Sequence, residues 1–187
     1  GLAGWFLFRS LGFKPVVCLL GAIAFAFNMN AFSNACWGLP SRATTLASIL
    51  FALGALHLKP SRLPFLKYIL CGFAVGHGIM EGFDVGALYS LVIGAYVVLL
   101  TMNEKGDVGQ KGLKAFGWGA VVAVAAAIFA AQALGTLITT QVQGVAGMSQ
   151  DAAAKEQRWN EATQWSLPVK EALRIGIPGM FGYRMTD

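Results

Sequence analysis

The sequence predicts an all-α, polytopic membrane protein, and three observations lead there. Of 187 residues, 56% are hydrophobic and only 12% charged, against roughly 25% charged in a soluble domain. Mean hydropathy is +0.61. The apolar residues are gathered into long runs separated by short joints of Pro, Gly, Asn, Lys and Arg, the pattern of helices that cross a bilayer. About five full transmembrane helices are expected, with a partial one at the N-terminus and an amphipathic tail outside the membrane.

The elements follow in order. Gly1 to Phe8 reads as the last turns of a helix, with neither an initiator Met nor a basic leader before it, which suggests a piece of a longer polypeptide rather than a signal peptide. Arg9, Lys14 and Gly12 form a polar joint, and Pro15 suits the first turn of the next helix, where its missing N–H costs nothing. Residues 16–32 make the first clear span and end in Asn28, Asn30, Ser33 and Asn34. An interfacial loop with Trp37 and Pro40 leads to Arg42, and residues 44–58 make the second span. Pro60 and Pro64 interrupt the helix within a basic turn. Residues 65–79, 85–102 and 115–138 complete the set, with a polar Gly- and Lys-containing loop at 103–114.

The tail from 139 to 187 is mixed and amphipathic, and reads as the start of a larger extracytoplasmic domain. Residues 151–163 favour a helix, with Lys155 and Trp159 as neighbours. Ser166 fits the N-cap of a further short helix.

Charge sets the expected orientation. Arg9 and Lys14, then Lys59, Arg62 and Lys67, then Lys105, Lys111 and Lys114 occupy alternate joints, so all three joints lie on the cytoplasmic side at once. The Asn28–Arg42 region, the stretch around residues 77–84 and the C-terminal tail then face outward, as in a bacterial inner-membrane protein with its tail outside. The net charge of +5 is read as topology, not nucleic-acid binding, because no polar face interleaves basic and aromatic residues. Cys18, Cys36 and Cys71 form no C-x-x-C pair, so a disulfide framework and a Cys-based zinc site are not expected.

The main candidate site is Cys71 to Gly86. In one continuous helix His77, Glu81 and Asp84 would share a face at i, i+4 and i+7, beside a stripe of Gly78, Gly82 and Gly86 and a second pair, Gly72 and Gly76. Three readings stand: a solvated outer loop, a polar groove for a lipid-phosphate substrate, and metal or pigment ligation by His77. A metal would need a further ligand, and His57 is expected at the opposite membrane face. The glycines suit close helix packing. Asn28, Asn30, Asn34 and Arg42 are candidates for headgroup or phosphate contacts. Gln164, Trp165, Glu171 and Arg174 are candidate contacts on the outer tail, where Trp165 also suits the membrane boundary. No Walker loop, nucleophile elbow or Rossmann glycine pattern is present, and no catalytic residue or cofactor is assigned.

The run Ala162-Thr163-Gln164-Trp165-Ser166-Leu167-Pro168, followed by Glu171-Ala172-Leu173 and Ile177-Pro178-Gly179-Met180-Phe181-Gly182-Tyr183, resembles the outer segment of the YfhO-like bacterial membrane proteins. Phe8-Arg9-Ser10-Leu11-Gly12 ahead of the apolar run 19–27 is similar to their helix-turn-helix, and Gly76-His77 to a Gly-His element at the outer end of a helix. After His77 this chain has Gly-Ile-Met-Glu where the family has Pro-Gln. The resemblance covers most of the chain in order, as a middle section of family members that are several times longer. It implies a fold-C-like glycosyltransferase that takes sugars from a polyprenyl-phosphate carrier at the outer membrane face, or a non-catalytic relative. The catalytic acid would then lie upstream of Gly1. The alternative is a non-enzymatic helical subunit of a larger membrane complex, joined through its Gly-rich faces, with His77 or His57 open to a pigment or haem.

Overall fold

A computed structural model describes residues 1–59, 63–143 and 151–164, and everything regular among them is helical. The chain divides into two compact units, Gly1–Ile138 and Thr139–Asp187. In the first lie α1 (Leu2–Ser10), α2 (Pro15–Ala26), α3 (Met29–Cys36), α4 (Pro40–Leu56), α5 (Leu66–Glu81), α6 (Phe83–Met102) and α7 (Val108–Phe129). Then come α8 (Ala131–Gln143), which runs across the boundary in sequence, and α9 (Ala152–Thr163) in the second unit.

Several bounds differ from the sequence expectation for local reasons. The run 16–32 is not one helix: it breaks at Phe27 and Asn28, where the Asn28 side-chain amide donates to the Phe25 carbonyl at 3.1 Å. The 12-residue α2 is then only about 18 Å long, too short to span alone. At the other extreme α7 starts at Val108, well before the expected 115, because the Asp107 carboxylate accepts from the Gly109 N–H at 2.9 Å and caps the helix. The run 115–138 is also broken, between α7 and α8 at Ala130. By length and composition two helices are able to cross a membrane, α6 with 20 residues and α7 with 22. Helices α4 and α5 have 17 and 16 residues.

Helix α5 is the centre of the first unit, packed on α4, α6 and α7, while α1 packs on α2 and α4. The shared core is built from Ala52 and Leu56 of α4, Tyr68, Cys71 and Val75 of α5, Ile93 and Val97 of α6, and Val122 and Ala126 of α7. Its small residues allow close approach: a β-carbon on Gly76 would stand 2.6 Å from the Ala126 carbonyl oxygen, and one on Gly72 2.5 Å from that of Val122. These two glycines are where α7 rests on α5.

The outside of the bundle is apolar. Leu88, Leu91 and Leu99 on α6 and Phe116, Val124 and Ile128 on α7 are exposed, Leu91 by 72% and Phe116 by 77%. Contiguous apolar surface of this kind marks contact with lipid or another protein.

The connections sort the polar residues by end. Tyr68 stacks on Trp118 with ring centres 4.3 Å apart, and His57 Nε2 lies 2.7 Å from the Tyr96 hydroxyl. Together they place the C-terminus of α4, the N-terminus of α5, the C-terminal half of α6 and the N-terminus of α7 at one end. That end carries Lys59, Lys67, Lys105, Lys111 and Lys114.

Candidate functional site

The opposite end is assembled from the first two turns of α4 and the last turns of α5. Pro40 opens α4, and Ser41, Thr44, Thr45 and Ser48 follow at i, i+3, i+4 and i+7, which puts four hydroxyls on one helical stripe. Three of them meet α5. Ser48 Oγ lies 2.8 Å from His77 Nδ1, Thr44 Oγ1 donates to Glu81 Oε2 at 2.8 Å, and Thr45 stands 3.5 Å from the Gly78 carbonyl. Thr45 and Ser48 are buried, whereas His77 and Glu81 are exposed.

One tautomer of His77 serves both contacts of Ser48. Ser48 has one hydroxyl proton, and its Oγ stands 2.9 Å from the Thr44 carbonyl, which can only accept. The arrangement that satisfies both contacts has His77 Nδ1–H donating to Ser48 Oγ, which leaves Nε2 as an acceptor. The ring also lies 6.3 Å from that of Phe129 on α7. An exposed imidazole acceptor and a carboxylate one turn away are therefore held in place by α4. Such a pair can accept hydrogen bonds from sugar hydroxyls, take up a proton, or share a cation with a phosphate.

Asp84 does not join them on a single face. Helix α5 ends at Glu81, Gly82 turns the chain with φ −154° and ψ 91°, and α6 begins at Phe83. Asp84 is thus the acid in the first turn of α6, where the helix dipole favours it. The break also splits the expected glycine stripe. Gly82 is the joint, while Gly86 of α6 packs directly on the Gly78 carbonyl of α5. The helices can approach this closely because Gly86 lacks a β-carbon, whereas one on Gly78 would face α4, 3.3 Å from Ser48 Cβ.

The remaining candidates are dispersed. Half-buried Asn28 serves the α2 terminus. Asn34 accepts through its carbonyl from the Leu39 N–H at 2.9 Å and so shapes the turn into α4. Asn30 lies in α3, and nothing is described of its side chain. Arg42 is exposed in the first turn of α4, the same end of that helix as Thr44. In the second unit, Asp151 caps α9 by accepting from the Ala154 N–H at 2.7 Å, Trp159 is 69% exposed, and Gln164 is the exposed residue that ends the helix. Trp165, Glu171 and Arg174 lie outside the described residues. Among those described, no group of three or more His, Cys, Asp or Glu side chains could hold a metal.

Sequence reasoning missed Thr44, Thr45 and Ser48, which hold the site from behind. The signal was the i, i+3, i+4, i+7 hydroxyl stripe inside an otherwise apolar run.

This geometry defines the class: an all-helical bundle with an apolar girdle, and a hydroxyl–histidine–carboxylate cluster at the end away from its lysines. Comparison with known proteins finds no matching family, no characterised relative and no similar solved structure.

Proposed function

We propose that the chain is a polytopic integral membrane protein of the bacterial inner membrane whose outward end, built on His77, Glu81 and the α4 hydroxyls, handles the phosphate-sugar headgroup of a lipid-linked substrate. The observation that carries this reading is the separation of polar chemistry along the bundle axis. Lysines gather at one end and His77–Glu81 at the other, with exposed Leu, Val, Ile and Phe side chains between. Lys and Arg near the cytoplasmic face is the usual rule for membrane helices, so the histidine end faces outward, with the tail. Helices α6 and α7 are long enough to cross, and α4 and α5 complete a crossing with their flanking residues, because a packed helix can meet a locally thinned bilayer.

The glycosyltransferase part rests on the resemblance to YfhO-like proteins. In that reading His77 Nε2 and Glu81 bind the sugar or the acceptor, Arg42 pairs with phosphate, and the catalytic acid is supplied by chain upstream of Gly1. A second reading, a non-enzymatic subunit of a larger complex, is favoured by one observation. A groove of about 300 Å³ between α6 and α7 is lined by Gly94, Gly119, Ala123 and Ala127, small residues of the kind that seat a neighbouring helix.

Two measurements test the proposal. Membranes containing the protein are washed with alkaline carbonate, and the protein is expected to stay in the pellet; release into the supernatant overturns the membrane reading. Transfer of sugar from a polyprenyl-phosphate donor is then assayed with the full native polypeptide. His77→Ala and Glu81→Gln are expected to lower the rate at least about tenfold, and Asn103→Ala to leave it unchanged. Equal rates in all three variants return the cluster to a topological role, and absence of transfer by the parent protein favours the subunit reading.

A further inference from the structure

At the lysine end a cavity of about 640 Å³ opens between the α6–α7 turn and the first four turns of α7. Its lip and its floor differ in chemistry. The lip carries Lys105, Lys111 and Lys114 against a single carboxylate, Glu104. Lys114 pairs with Glu104 at 2.8 Å, and Lys111 donates to the Met102 carbonyl, the last of α6, at 3.2 Å. Lys105 has no hydrogen bond or ion pair among the described residues, so the lip keeps uncompensated positive charge. The floor is apolar. Leu113, Gly117 and Val121 of α7, at i, i+4 and i+8, form one strip running from the lip toward the middle of the bundle. Gly117 leaves open space above it. Trp118 closes the side, stacked on Tyr68, with Lys67 Nζ 4.9 Å from the Tyr68 ring.

We infer that this cavity is a binding site for an anionic glycerophospholipid of the inner leaflet, with the headgroup phosphate among Lys105, Lys111 and Lys114 and an acyl chain along Leu113–Gly117–Val121. The inference rests on the membrane reading above. A free phosphate would use the lip alone and leave the strip exposed. An acidic peptide would not need an apolar strip running on from the lysine lip. A phospholipid matches both halves, and the strip opens beside Leu113 and Phe116, which are 75% and 77% exposed, on the lateral face where acyl chains would lie. The volume falls in the range of ordinary small-molecule sites, enough for a headgroup and the first part of one chain. Basic residues at the cytoplasmic face attract anionic lipid in general. The cavity adds a place where one such lipid is held.

The test uses the purified, delipidated full chain in a neutral detergent, with bound lipid counted by native mass spectrometry and melting temperature followed in parallel. Dioleoyl phosphatidylglycerol is expected to bind at one site and raise the melting temperature. Dioleoyl phosphatidylcholine is expected to bind about tenfold more weakly or worse, and inorganic phosphate to do neither. The double substitution Lys111→Gln, Lys114→Gln should weaken phosphatidylglycerol binding roughly tenfold or more. Gly117→Leu leaves every charge in place and fills open space, so it should weaken the same binding by a similar factor without disturbing the helix content seen by circular dichroism. Equal binding of the two lipids, stabilisation by inorganic phosphate alone, or undiminished binding to the Gly117→Leu protein each overturns the site. None of these outcomes bears on carbonate extraction, so failure of the lipid site and failure of the membrane reading are told apart.

Discussion

The histidine end of the bundle and helix α7 use glycine in opposite ways. At the histidine end glycines are contacts: a β-carbon on Gly76 would meet α7, one on Gly82 would stand 2.8 Å from Thr45 Oγ1, and Gly86 packs on the Gly78 carbonyl. Along α7, Gly112, Gly117 and Gly119 have nothing within 4 Å of the space a β-carbon would fill. The first pattern brings backbones together and so sets which side chains, such as His77 and Glu81, meet α4. The second leaves room. A rigid polar cluster at one end and a cavity at the other follow from one residue type placed at packed or unpacked positions.

The largest expected effect comes from breaking the packed end. Gly86→Val places a branched side chain against the Gly78 backbone, which cannot yield without separating α5 from α6. Overpacking of this kind costs about 1–3 kcal/mol and sometimes more, and here it opposes backbone rather than a movable side chain. Gly76→Val, against the Ala126 carbonyl, should behave alike. Thermal unfolding in detergent is the measurement, with Gly119→Ala as the counterpart: in open helix, alanine should be neutral or stabilising by up to about 1 kcal/mol. Equal melting temperatures for Gly86→Val and Gly119→Ala would erase the distinction between packed and open glycines.

Next in size is the relay behind the site. Ser48→Ala removes the acceptor for His77 Nδ1 and frees the ring to rotate. A lost hydrogen bond at a half-buried position costs about 1 kcal/mol in stability. In the proposed sugar transfer the larger consequence is expected, with loss of ring orientation lowering the rate at little change in donor KM. Ser48→Thr keeps the hydroxyl and should restore part of it. A rate unchanged in Ser48→Ala means that α4 does not position His77.

How much of this could be read from the sequence varies with the kind of signal. Helices α5 and α6 are visible as apolar runs because composition alone marks them. The His77–Glu81 pair is visible because a histidine and a carboxylate are rare among such residues. What the sequence hides is the partner. Nothing in Thr44 or Ser48 taken singly says that α4 lies against α5 with these hydroxyls facing His77 and Glu81, since antiparallel register is set by packing at Gly78 and Gly82 rather than by local propensity. The break at Gly82 is hidden for a related reason. Glycine inside an apolar run suits close packing as well as a joint, and only the approach of Gly86 to Gly78 decides it. The early start of α7 is legible in Asp107 before Val108-Gly109, a capping residue obscured by the lysines that follow. Asn28 likewise ends α2 where an apolar count runs on to Phe32.

Orientation gives a test that sharpens the comparison without touching the fold. Cys36 is free and exposed at the end of α3, before the turn into α4, whereas Cys18 and Cys71 are buried. A membrane-impermeant maleimide added to intact spheroplasts should label Cys36. In a Cys36→Ser background, Lys105→Cys should react only after lysis. Labelling of both positions from the same side contradicts the placement of the two ends on opposite faces, and labelling in the reverse order inverts the assignment of His77 to the outside.

The smallest expected effect carries two opposite signs, which makes it the most discriminating. The Lys114–Glu104 pair is solvent-exposed, with 59% and 42% of the side chains accessible, and exposed pairs contribute about 0–1 kcal/mol. Glu104→Gln should therefore lower the melting temperature of the lipid-free protein by a degree or two at most. The same change removes the one carboxylate from the lip of the cavity and releases the Lys114 ammonium group. Phosphatidylglycerol should then bind a few-fold more tightly, on the order of one surface charge's worth, and the melting temperature in its presence should match or exceed that of the parent. High salt should shrink both effects together, since both groups are exposed. A Glu104→Gln protein that is less stable and also binds the lipid less tightly would make the pair a structural clasp across the α6–α7 turn, with Lys114 positioned by Glu104 rather than neutralised by it.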